Sequence, residues 1–268
     1  MTAWNNKVVL VTGGASGLGR AIAEAFAAAG AKVVIASRDA EKLAATASAL
    51  SQGGRDVVAI PADLTRQNDV ERLFGQIITQ FGQLDVLVNN AGRSSRGRAI
   101  ETTPEQFQDL FDLNFLSVVR CTRAAAPHLL NTRGHVVNIG SLAAKTASKY
   151  LGAYPASKFP VAAYSQQLRY ELGPEGVHVL LVCPGPIARE DAGQRYDEQS
   201  QDLPAEARRP GGGAKIKGID PHRLAAQILR ACERRQPELV IPGKTKLLFA
   251  LAQLWPSLGD WILKRYTS

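Results

Sequence analysis

The sequence predicts an α/β fold in which one parallel sheet lies between two layers of helices. Short apolar runs rich in β-branched residues alternate with longer segments whose apolar residues recur every three or four positions. The short runs are almost continuously apolar, as is typical of strands covered on both faces. Of the 268 residues, 45% are hydrophobic, so a single domain can bury its own core.

The predicted strands follow one another along the whole chain. In order they are KVVLVT, AKVVIAS, DVVAIPA, LDVLVNN, GHVVNIG, VHVLLVCP and ELVIP, seven in all. Intervening segments such as RAIAEAFAAAG, AEKLAATASAL and DVERLFGQIITQFG have helical periodicity. Because strands and helices alternate, we expect βαβ units and a doubly wound, seven-stranded parallel sheet in one domain, with helices on both faces.

Residues 189–219 interrupt this alternation after the sixth predicted strand. They are polar and rich in glycine, glutamine and charge. They follow the carboxyl end of a strand, where open α/β sheets bind ligands, so we predict a mobile lid over a substrate. A solvated excursion without ligand contact is the alternative.

Residues 243–268 are predicted as a helical tail and not as a domain of their own. The tail has a short apolar run, Trp255 and Trp261, and basic residues on both sides. Pro256 and Asp260 interrupt it well before the roughly 20 apolar residues that a membrane span needs. It could pack on the domain or on a neighbouring subunit, or make a peripheral contact with a membrane interface.

The chain is basic, with a net charge of +8 and a pI near 9.6, which favours an anionic partner such as a nucleotide. The basic residues are scattered and only 6% of residues are aromatic, so we predict no nucleic-acid binding. The cysteines and histidines lack the spacing of disulfide frameworks or metal sites, and we predict neither. No signal peptide is evident at the N-terminus, which favours a cytoplasmic location. The residues concerned are Cys121, Cys183, Cys232, His128, His135, His178 and His222.

A glycine-rich turn, TGGASGLG, follows the first predicted strand and opens a helix. Gly13, Gly17 and Gly19 permit a tight turn and close backbone approach, so a pyrophosphate can rest on amides at the helix N-terminus. Ser16 and Leu18 belong to the same turn and are predicted to contact the nucleotide. The strand, turn and helix together predict a Rossmann-type dinucleotide site.

The end of the second predicted strand, VVIASRDAEKL, bears on the choice between NAD and NADP. Asp39 lies about 20 residues past the glycines, as an acid that binds the NAD ribose would, but it directly precedes a helix that it could cap. Ser37 occupies the strand end and Arg38 can pair with a 2′-phosphate, so we favour NADP over NAD. Asp63 and Leu64, after the third predicted strand, are predicted to lie near the adenine.

A tyrosine and a lysine occur four residues apart in AYPASKFP. Tyr154 and Lys158 would share one helical face, where the ammonium would favour the phenolate and lower the pKa of the tyrosine. Such a phenol can protonate the alkoxide that forms when a ketone accepts hydride. Ser141, at the end of the fifth predicted strand, can hydrogen-bond the substrate oxygen.

Three further motifs occur elsewhere in the chain. NNAG closes the fourth predicted strand, Asn114 lies in the helical segment FDLNFLSVV, and a PG pair follows the sixth strand. With all of them in order, the chain resembles a short-chain dehydrogenase/reductase up to about residue 242. The resemblance implies that residues 1–242 are a dinucleotide-binding catalytic domain that interconverts a ketone and a secondary alcohol. It also implies a homodimer or homotetramer.

The resemblance assigns roles to individual residues. It implies that Asn114 holds a water linking Lys158 to solvent, that Ser141 orients the carbonyl, and that Tyr154 is the acid and base. Lys158 would also bind the hydroxyls of the nicotinamide ribose. The remaining residues placed at the cofactor are Asn90, Ala91, Gly92, Pro184, Gly185 and Ile187.

Two positions depart from the family's pattern. Arg189 stands where many relatives have a threonine, and could reach the cofactor's pyrophosphate or point into the lid. Pro160 stands where relatives carry alanine or another helix former. Pro155 fits the first turn of a helix, whereas Pro160 predicts a bend that leaves the carbonyl of Ala156 without its helical donor.

Two other functions are compatible with parts of the sequence. A catalytically inactive nucleotide-binding regulator would explain the fold, but it has no chemical reason to retain the asparagine, serine, tyrosine and lysine together. A Rossmann-like methyltransferase would explain the glycine turn but not the tyrosine and lysine pair. The substrate is not readable from the residues, and a lipid-like ketone is compatible with the polar lid and the apolar tail.

Overall fold

The computed structural model describes residues 3–189, 196–209, 211 and 217–266. Within these residues seven strands form one sheet in the order β3-β2-β1-β4-β5-β6-β7, and every neighbouring pair is parallel. All seven predicted strands and the doubly wound α/β class are confirmed. The strands are β1 Val8–Thr12, β2 Lys32–Ser37, β3 Val57–Pro61, β4 Val86–Asn89, β5 His135–Ile139, β6 His178–Pro184 and β7 Glu238–Ile241.

Helices connect the strands and extend beyond the last one. The α-helices are α1 Gly17–Ala28, α2 Ala40–Leu50, α3 Gln67–Phe81, α4 Pro104–Phe111, α5 Ser117–Thr132, α6 Tyr154–Leu172, α7 Ala205–Arg208, α8 Pro221–Glu233, α9 Thr245–Leu254 and α10 Pro256–Tyr266. A π-helical segment, Asp112–Leu116, joins α4 to α5, and short 3₁₀ turns cover Leu142–Ala144 and Glu198–Ser200.

The strands are largely apolar because both faces of the sheet are covered. Along β1, Val9 and Val11 pack in one apolar cluster with α1 and α8, whereas Leu10 packs in a second cluster with α3 and α5. Successive side chains of a strand point to opposite faces, so each face supplies its own core. All five residues of β1 are buried. This burial accounts for the continuous apolar run in the sequence.

The order of the strands reverses between β1 and β4. The chain builds outward from β1 through β2 to β3 and then returns to the other side of β1. A crevice therefore opens at the carboxyl ends of β1 and β4, the place where doubly wound sheets bind ligands. The glycine turn after β1 and the NNAG segment at the end of β4 meet there.

The tail forms α9 and α10, which pack on the domain and on each other. Phe249 of α9 is buried in a cluster with Val240 and Leu181. Gly259 of α10 lies so close to α9 that a Cβ on it would be 2.5 Å from the Cβ of Ala252. Among the described residues, no helix is long and apolar enough to cross a membrane.

Helix α6 continues through Pro160. It begins at Tyr154, so Pro155 lies in its first turn as predicted, and it runs unbroken to Leu172. Pro160 has no N–H to serve as the helical donor for the carbonyl of Ala156, an exposed residue. The bend at Pro160 stays a prediction.

Candidate active site

A cleft of about 920 Å³ lies at the carboxyl ends of the strands. It brings together most of the residues singled out in the sequence, from motifs more than 170 residues apart. Asn114 lies behind its wall, and Ser37, Arg38, Asp63 and Leu64 lie outside its lining at the ends of β2 and β3. The predicted residues that line it are Gly13, Ser16, Gly17, Leu18, Gly19, Asn90, Ala91, Gly92, Ser141, Tyr154, Lys158, Pro184, Gly185 and Ile187.

The glycine turn has the shape that a dinucleotide phosphate needs. Gly13 and Gly17 have φ angles of +65° and +53°, in the region that favours glycine. A Cβ on Gly19 would lie 2.2 Å from the carbonyl oxygen of Gly13. Within the described chain the Ser16 side chain does not cap α1, and the first turn of α1 carries no acidic residue. The amides and dipole at this N-terminus therefore suit an anion, so these residues fit the pyrophosphate of a dinucleotide.

Thr12 joins the glycine turn to the NNAG segment, although the sequence analysis did not single it out. Its buried hydroxyl accepts hydrogen bonds from the backbone N–H groups of Asn90 (2.9 Å) and Ala91 (3.0 Å) and donates one to the carbonyl of Val88 (3.1 Å). The Asn90 side chain donates back to the Thr12 carbonyl, at 2.9 Å. The sequence feature that could have indicated this role is a polar residue at the end of an apolar strand, directly before the glycines.

The adenosine end of the site lies at the carboxyl ends of β2 and β3. Asp39 caps α2, since its carboxylate accepts a hydrogen bond from the Lys42 amide at 3.0 Å, which confirms the capping alternative. Burial raises the pKa of Asp63, but hydrogen bonds from Thr65 and the nearby charge of Arg38 bring it below its ordinary value. The exposed Arg38 therefore lies close enough to Asp63 to act on it electrostatically.

Ser141 and Tyr154 interact at the centre of the cleft. Ser141 follows β5, and its Oγ accepts a hydrogen bond from the Ala143 amide at 3.1 Å. Tyr154 is the first residue of α6. Burial raises the pKa of Tyr154, and its hydrogen bond with Ser141 offsets this only in part. The predicted lowering of this pKa is wrong for the structure, because burial outweighs the neighbouring groups and keeps the phenol protonated.

Lys158 lies one helical turn after Tyr154 and is buried. Its Nζ donates a hydrogen bond to the carbonyl of Ile139, the last residue of β5, at 2.9 Å. Burial lowers the pKa of Lys158 to about 8. The ammonium is therefore close to the point at which it loses its proton near neutral pH, which suits a group that passes protons.

Asn114 supports the cleft from behind, in the π-helical segment Asp112–Leu116. Its buried Oδ1 accepts a hydrogen bond from the Arg93 amide (2.9 Å), and its Nδ2 donates to the Arg93 carbonyl (2.8 Å) and to Ser157 Oγ (2.9 Å). A Cβ on Gly92 would lie 2.7 Å from Asn114 Oδ1. Asn114 thus ties the NNAG loop to α6; its role in holding a water stays a prediction.

A family model described as short chain dehydrogenase matches residues 7–200. The chain belongs to the short-chain dehydrogenase/reductase family. As a member it is an oxidoreductase of a family that uses a nicotinamide dinucleotide, NAD or NADP.

Curated relatives span nearly the whole of this dehydrogenase/reductase. An uncharacterized oxidoreductase of Bacillus subtilis is 33% identical over 97% of this chain and 72% of its own length. A ketoacyl reductase of Nostoc is 31% identical over 98% of this chain and 90% of its own length. An L-fucose dehydrogenase of Mus musculus is 32% identical over 97% of this chain and 96% of its own length.

Solved structures have the same fold as this family member. A short-chain dehydrogenase/reductase of Burkholderia phymatum in complex with NAD has a TM-score of 0.82 and 26% identity, covering 96% of each chain. The L-sorbose reductase of Gluconobacter frateurii complexed with NADPH and L-sorbose has a TM-score of 0.78 and 26% identity, covering 88% of this chain and 95% of its own.

Part of the predicted lid lies over the active site of this dehydrogenase/reductase. Residues 190–195, 210 and 212–216 of the predicted lid lie outside the described residues. A bridge joins Ile187, which lies just before the segment, to Ile219, its last residue. Tyr196, Arg208 and Lys217 of the segment line the cleft. The mobility of the lid stays a prediction.

Arg96 contacts the described part of this predicted lid, and the sequence analysis missed it. It is buried, and its guanidinium donates hydrogen bonds to the carbonyls of Ala207 (2.7 Å) and Arg209 (3.2 Å). It also stacks on the Tyr196 ring, 3.7 Å from its centroid. The lid carbonyls come from segments more than 100 residues away, so no local pattern could indicate these contacts.

Arg189 of the dehydrogenase/reductase points towards the glycine turn. A Cβ on Gly17 would lie 3.6 Å from its Nη2. This position favours the first of the two alternatives for Arg189, in which its charge faces the pyrophosphate. A positive charge at the start of α1 would add to the helix dipole in binding an anion.

The tail supplies an apolar wall of the cleft, which the sequence analysis did not foresee. Leu248 and Leu251 of α9 and Ile262 and Leu263 of α10 line it. They are partly buried and face Leu142 and Leu151 across the same space. Apolar side chains of the tail therefore form part of the lining of the cleft.

Proposed function

We propose that this protein is an NADP-dependent oxidoreductase that interconverts a ketone and a secondary alcohol, with Tyr154 as proton donor and acceptor. The observation that carries the proposal is the meeting of Ser141, Tyr154 and Lys158 in one cleft with the glycine turn. A nucleotide-binding regulator would not need a buried lysine one helical turn from a tyrosine in the same cleft, because burial of the ammonium is unfavourable.

The residues that would hold the dinucleotide are those of the glycine turn, the NNAG segment and the PG turn. Lys158 and Tyr154 would bind the nicotinamide ribose, and Arg189 would face the pyrophosphate. When bound, the nicotinamide supplies hydride to the carbonyl carbon or accepts hydride from the alcohol carbon.

The proton chemistry belongs to the protein. The Ser141 hydroxyl would donate a hydrogen bond to the carbonyl oxygen and orient it. The Tyr154 phenol, kept protonated by burial, would donate its proton to that oxygen as it becomes an alkoxide. In the opposite direction the Tyr154 phenolate would accept the alcohol proton, and the ammonium of Lys158 would stabilise the phenolate.

The preference for NADP is proposed from the end of β2. The Asp39 carboxylate is engaged in capping α2, whereas Arg38 is exposed beside the adenosine end. We predict that Arg38→Ala weakens NADPH binding by about 10- to 100-fold, the loss of a charge-assisted contact, and leaves NADH binding unchanged. Fluorescence titration with both nucleotides measures this.

The matched control for Arg38 is Arg66→Ala. Arg66 is also exposed and also acts electrostatically on Asp63, but it does not follow β2. If both variants lose the same NADPH affinity, the loss comes from the removal of positive charge in general. That outcome would refute a specific contact between Arg38 and the 2′-phosphate.

The substrate is proposed to be a ketone with an apolar body, which the wall of leucine and isoleucine side chains from α9 and α10 supports. A panel of ketones and alcohols, assayed by NADPH absorbance, tests the reaction. Turnover confined to NADH or absent with every substrate would contradict the proposal. A cytoplasmic location and assembly as a homodimer or homotetramer belong to the same proposal and rest on the family resemblance.

A further inference from the structure

The helices α9 and α10 form a hairpin, here called the tail hairpin (residues 245–266), with an apolar outer patch. Leu254, Trp255, Leu258 and Trp261 are 69%, 57%, 43% and 58% exposed. Leu258 and Trp261 are three residues apart on α10 and therefore share one face of it, and Leu254 and Trp255 lie at the turn between the helices. Exposed apolar residues grouped in this way mark an interaction surface.

The tail hairpin and the residues next to it are rich in positive charge. Residues 244–268 contain the basic residues Lys244, Lys246, Lys264 and Arg265 and one acidic residue, Asp260. The Arg265 guanidinium lies over the Trp261 ring, 5.6 Å from its centroid. Tryptophan among basic residues is typical of helices that lie in the headgroup region of an anionic bilayer.

Other residues of the tail hairpin line the cleft. Leu248, Leu251 and Ile262 line the cleft, and so does Leu247, which is 69% exposed. A side chain that both lines the cleft and reaches solvent marks an opening, so a mouth of the cleft lies at the start of α9. The outer patch and this mouth are therefore on one element.

We propose that the tail hairpin docks on an anionic membrane surface through its outer patch and places the mouth beside Leu247 against the bilayer. An apolar ketone could then pass from the lipid into the cleft without crossing water. The proposed docking depends only on the apolar patch and the basic residues of the hairpin. The proposed passage of substrate depends in addition on the proposed function.

A second copy of the chain is a weaker occupant of this patch. In a twofold-symmetric pair the same surface faces itself, so the basic segment of one copy would face a surface that carries the same basic residues, among them Lys246 and Arg265. Like charges brought together in this way oppose association. An anionic lipid surface complements the same charges.

The docking is tested by co-sedimentation of the full chain with vesicles of phosphatidylcholine and phosphatidylserine, compared with phosphatidylcholine alone. We expect binding to the anionic vesicles to be at least about tenfold tighter and to weaken with salt. The W255S/W261S variant should lose about tenfold of the vesicle affinity, and K246Q/R265Q should lose about the same on anionic vesicles only.

The matched control is I100S/Y170S, which removes two apolar side chains that are 94% and 72% exposed elsewhere on the surface. It should bind vesicles as the wild type does, and thermal melts should show that all variants fold. Absence of wild-type binding, or equal binding by W255S/W261S, would overturn the proposal. A change of oligomeric state in W255S/W261S without vesicle binding would make the patch a subunit interface instead.

The passage of substrate has its own readout. A long-chain ketone held in anionic vesicles should be reduced about tenfold more slowly by W255S/W261S, while a water-soluble ketone is reduced at the wild-type rate. Equal rates on the vesicle-held ketone would overturn membrane delivery. If the wild type reduces neither ketone, the proposed function is refuted, but the result on vesicle binding remains valid.

Discussion

The two ends of β5 and β6 carry two buried polar clusters, and they differ in what lies next to them. At the amino ends, His135 and His178 are paired in the sheet register, and their Nδ1 atoms are 2.9 Å apart. His178 Nε2 lies 2.8 Å from the Gln236 carbonyl, which can only accept. His178 Nδ1 must then accept in neutral histidine, and His135 Nδ1 donates to it.

At the carboxyl ends of the same strands, Ser141 and Lys158 lie at the cleft. Burial lowers the pKa of His135 to about 3 and the pKa of Lys158 to about 8. Both clusters therefore contain strongly perturbed groups, but the two histidines hydrogen-bond each other and do not line the cleft, whereas Lys158 does. A perturbed pKa indicates function only where a reactant can reach the group.

The histidine cluster also bears on metal binding. The ligand atoms of His135, His178 and Cys232 lie within 4.8 Å of one another. The sequence could not indicate this proximity, because adjacent strands bring together residues that are far apart along the chain. Since the two imidazoles already hydrogen-bond each other, their geometry is explained without an ion; the absence of a metal stays a prediction.

The largest effect that separates the two ends is expected from Tyr154→Phe. Removing the phenolic hydroxyl removes the proton donor, so turnover should fall by about a thousandfold or more. NADPH affinity, measured by fluorescence, should change little, because the glycine turn, the NNAG segment and Lys158 would still hold the nucleotide. The paired control is His135→Asn, at the amino end, which should keep wild-type turnover. Comparable losses in the two variants would end the distinction between a catalytic and a structural end.

Lys158→Met should lower turnover by about a hundredfold and raise stability. The variant replaces a buried ammonium by an apolar side chain of similar length, so the free energy of unfolding at pH 7 should rise by about 1 kcal/mol. The folded pKa of about 8 lies below the unfolded value, so wild-type stability increases with pH from about 8 to 10.5. The difference in unfolding free energy between Lys158→Met and the wild type should therefore become smaller from pH 8 to pH 10.5. Urea titrations at several pH values measure it.

The smallest expected effect is the acid sensitivity that the amino end confers. The folded pKa of His135, about 3, lies below the unfolded value of 6.5, so the folded state binds fewer protons between these values. Stability is full above pH 6.5 and decreases as the pH falls. Between pH 7 and pH 5 the loss should be about 1–2 kcal/mol from this residue.

His135→Asn keeps a hydrogen-bond donor near the position of Nδ1 but has no group that titrates. It should therefore remove the loss of stability between pH 7 and pH 5 that His135 causes. His222→Asn is the control, since His222 has a side chain that is 66% exposed. Unfolding free energies from urea titration at pH 5 and pH 7 provide the measurement. An unchanged pH dependence in His135→Asn would show that other groups cause the acid sensitivity.

Much of the fold and part of the site could be read from local patterns. The strands were predictable because continuous apolar runs reflect burial on both faces, and Asp39 because a helix start selects a capping side chain. The sequence analysis placed Asn114 in a helical segment, and the structure shows that this segment is π-helical. There Asn114 contacts Arg93 and Ser157. No local pattern distinguishes such a segment.

The sequence by itself determined the strand order along the chain, the glycine turn and the spacing of Tyr154 and Lys158, since periodicity and spacing are local properties. Only the tertiary structure decided which groups lie together: the histidine pair, Arg96 beneath the lid and the tail along the cleft. It also decided the direction of the Tyr154 pKa shift. Burial sets that direction, and burial depends on how distant segments pack, which spacing along one helix does not encode.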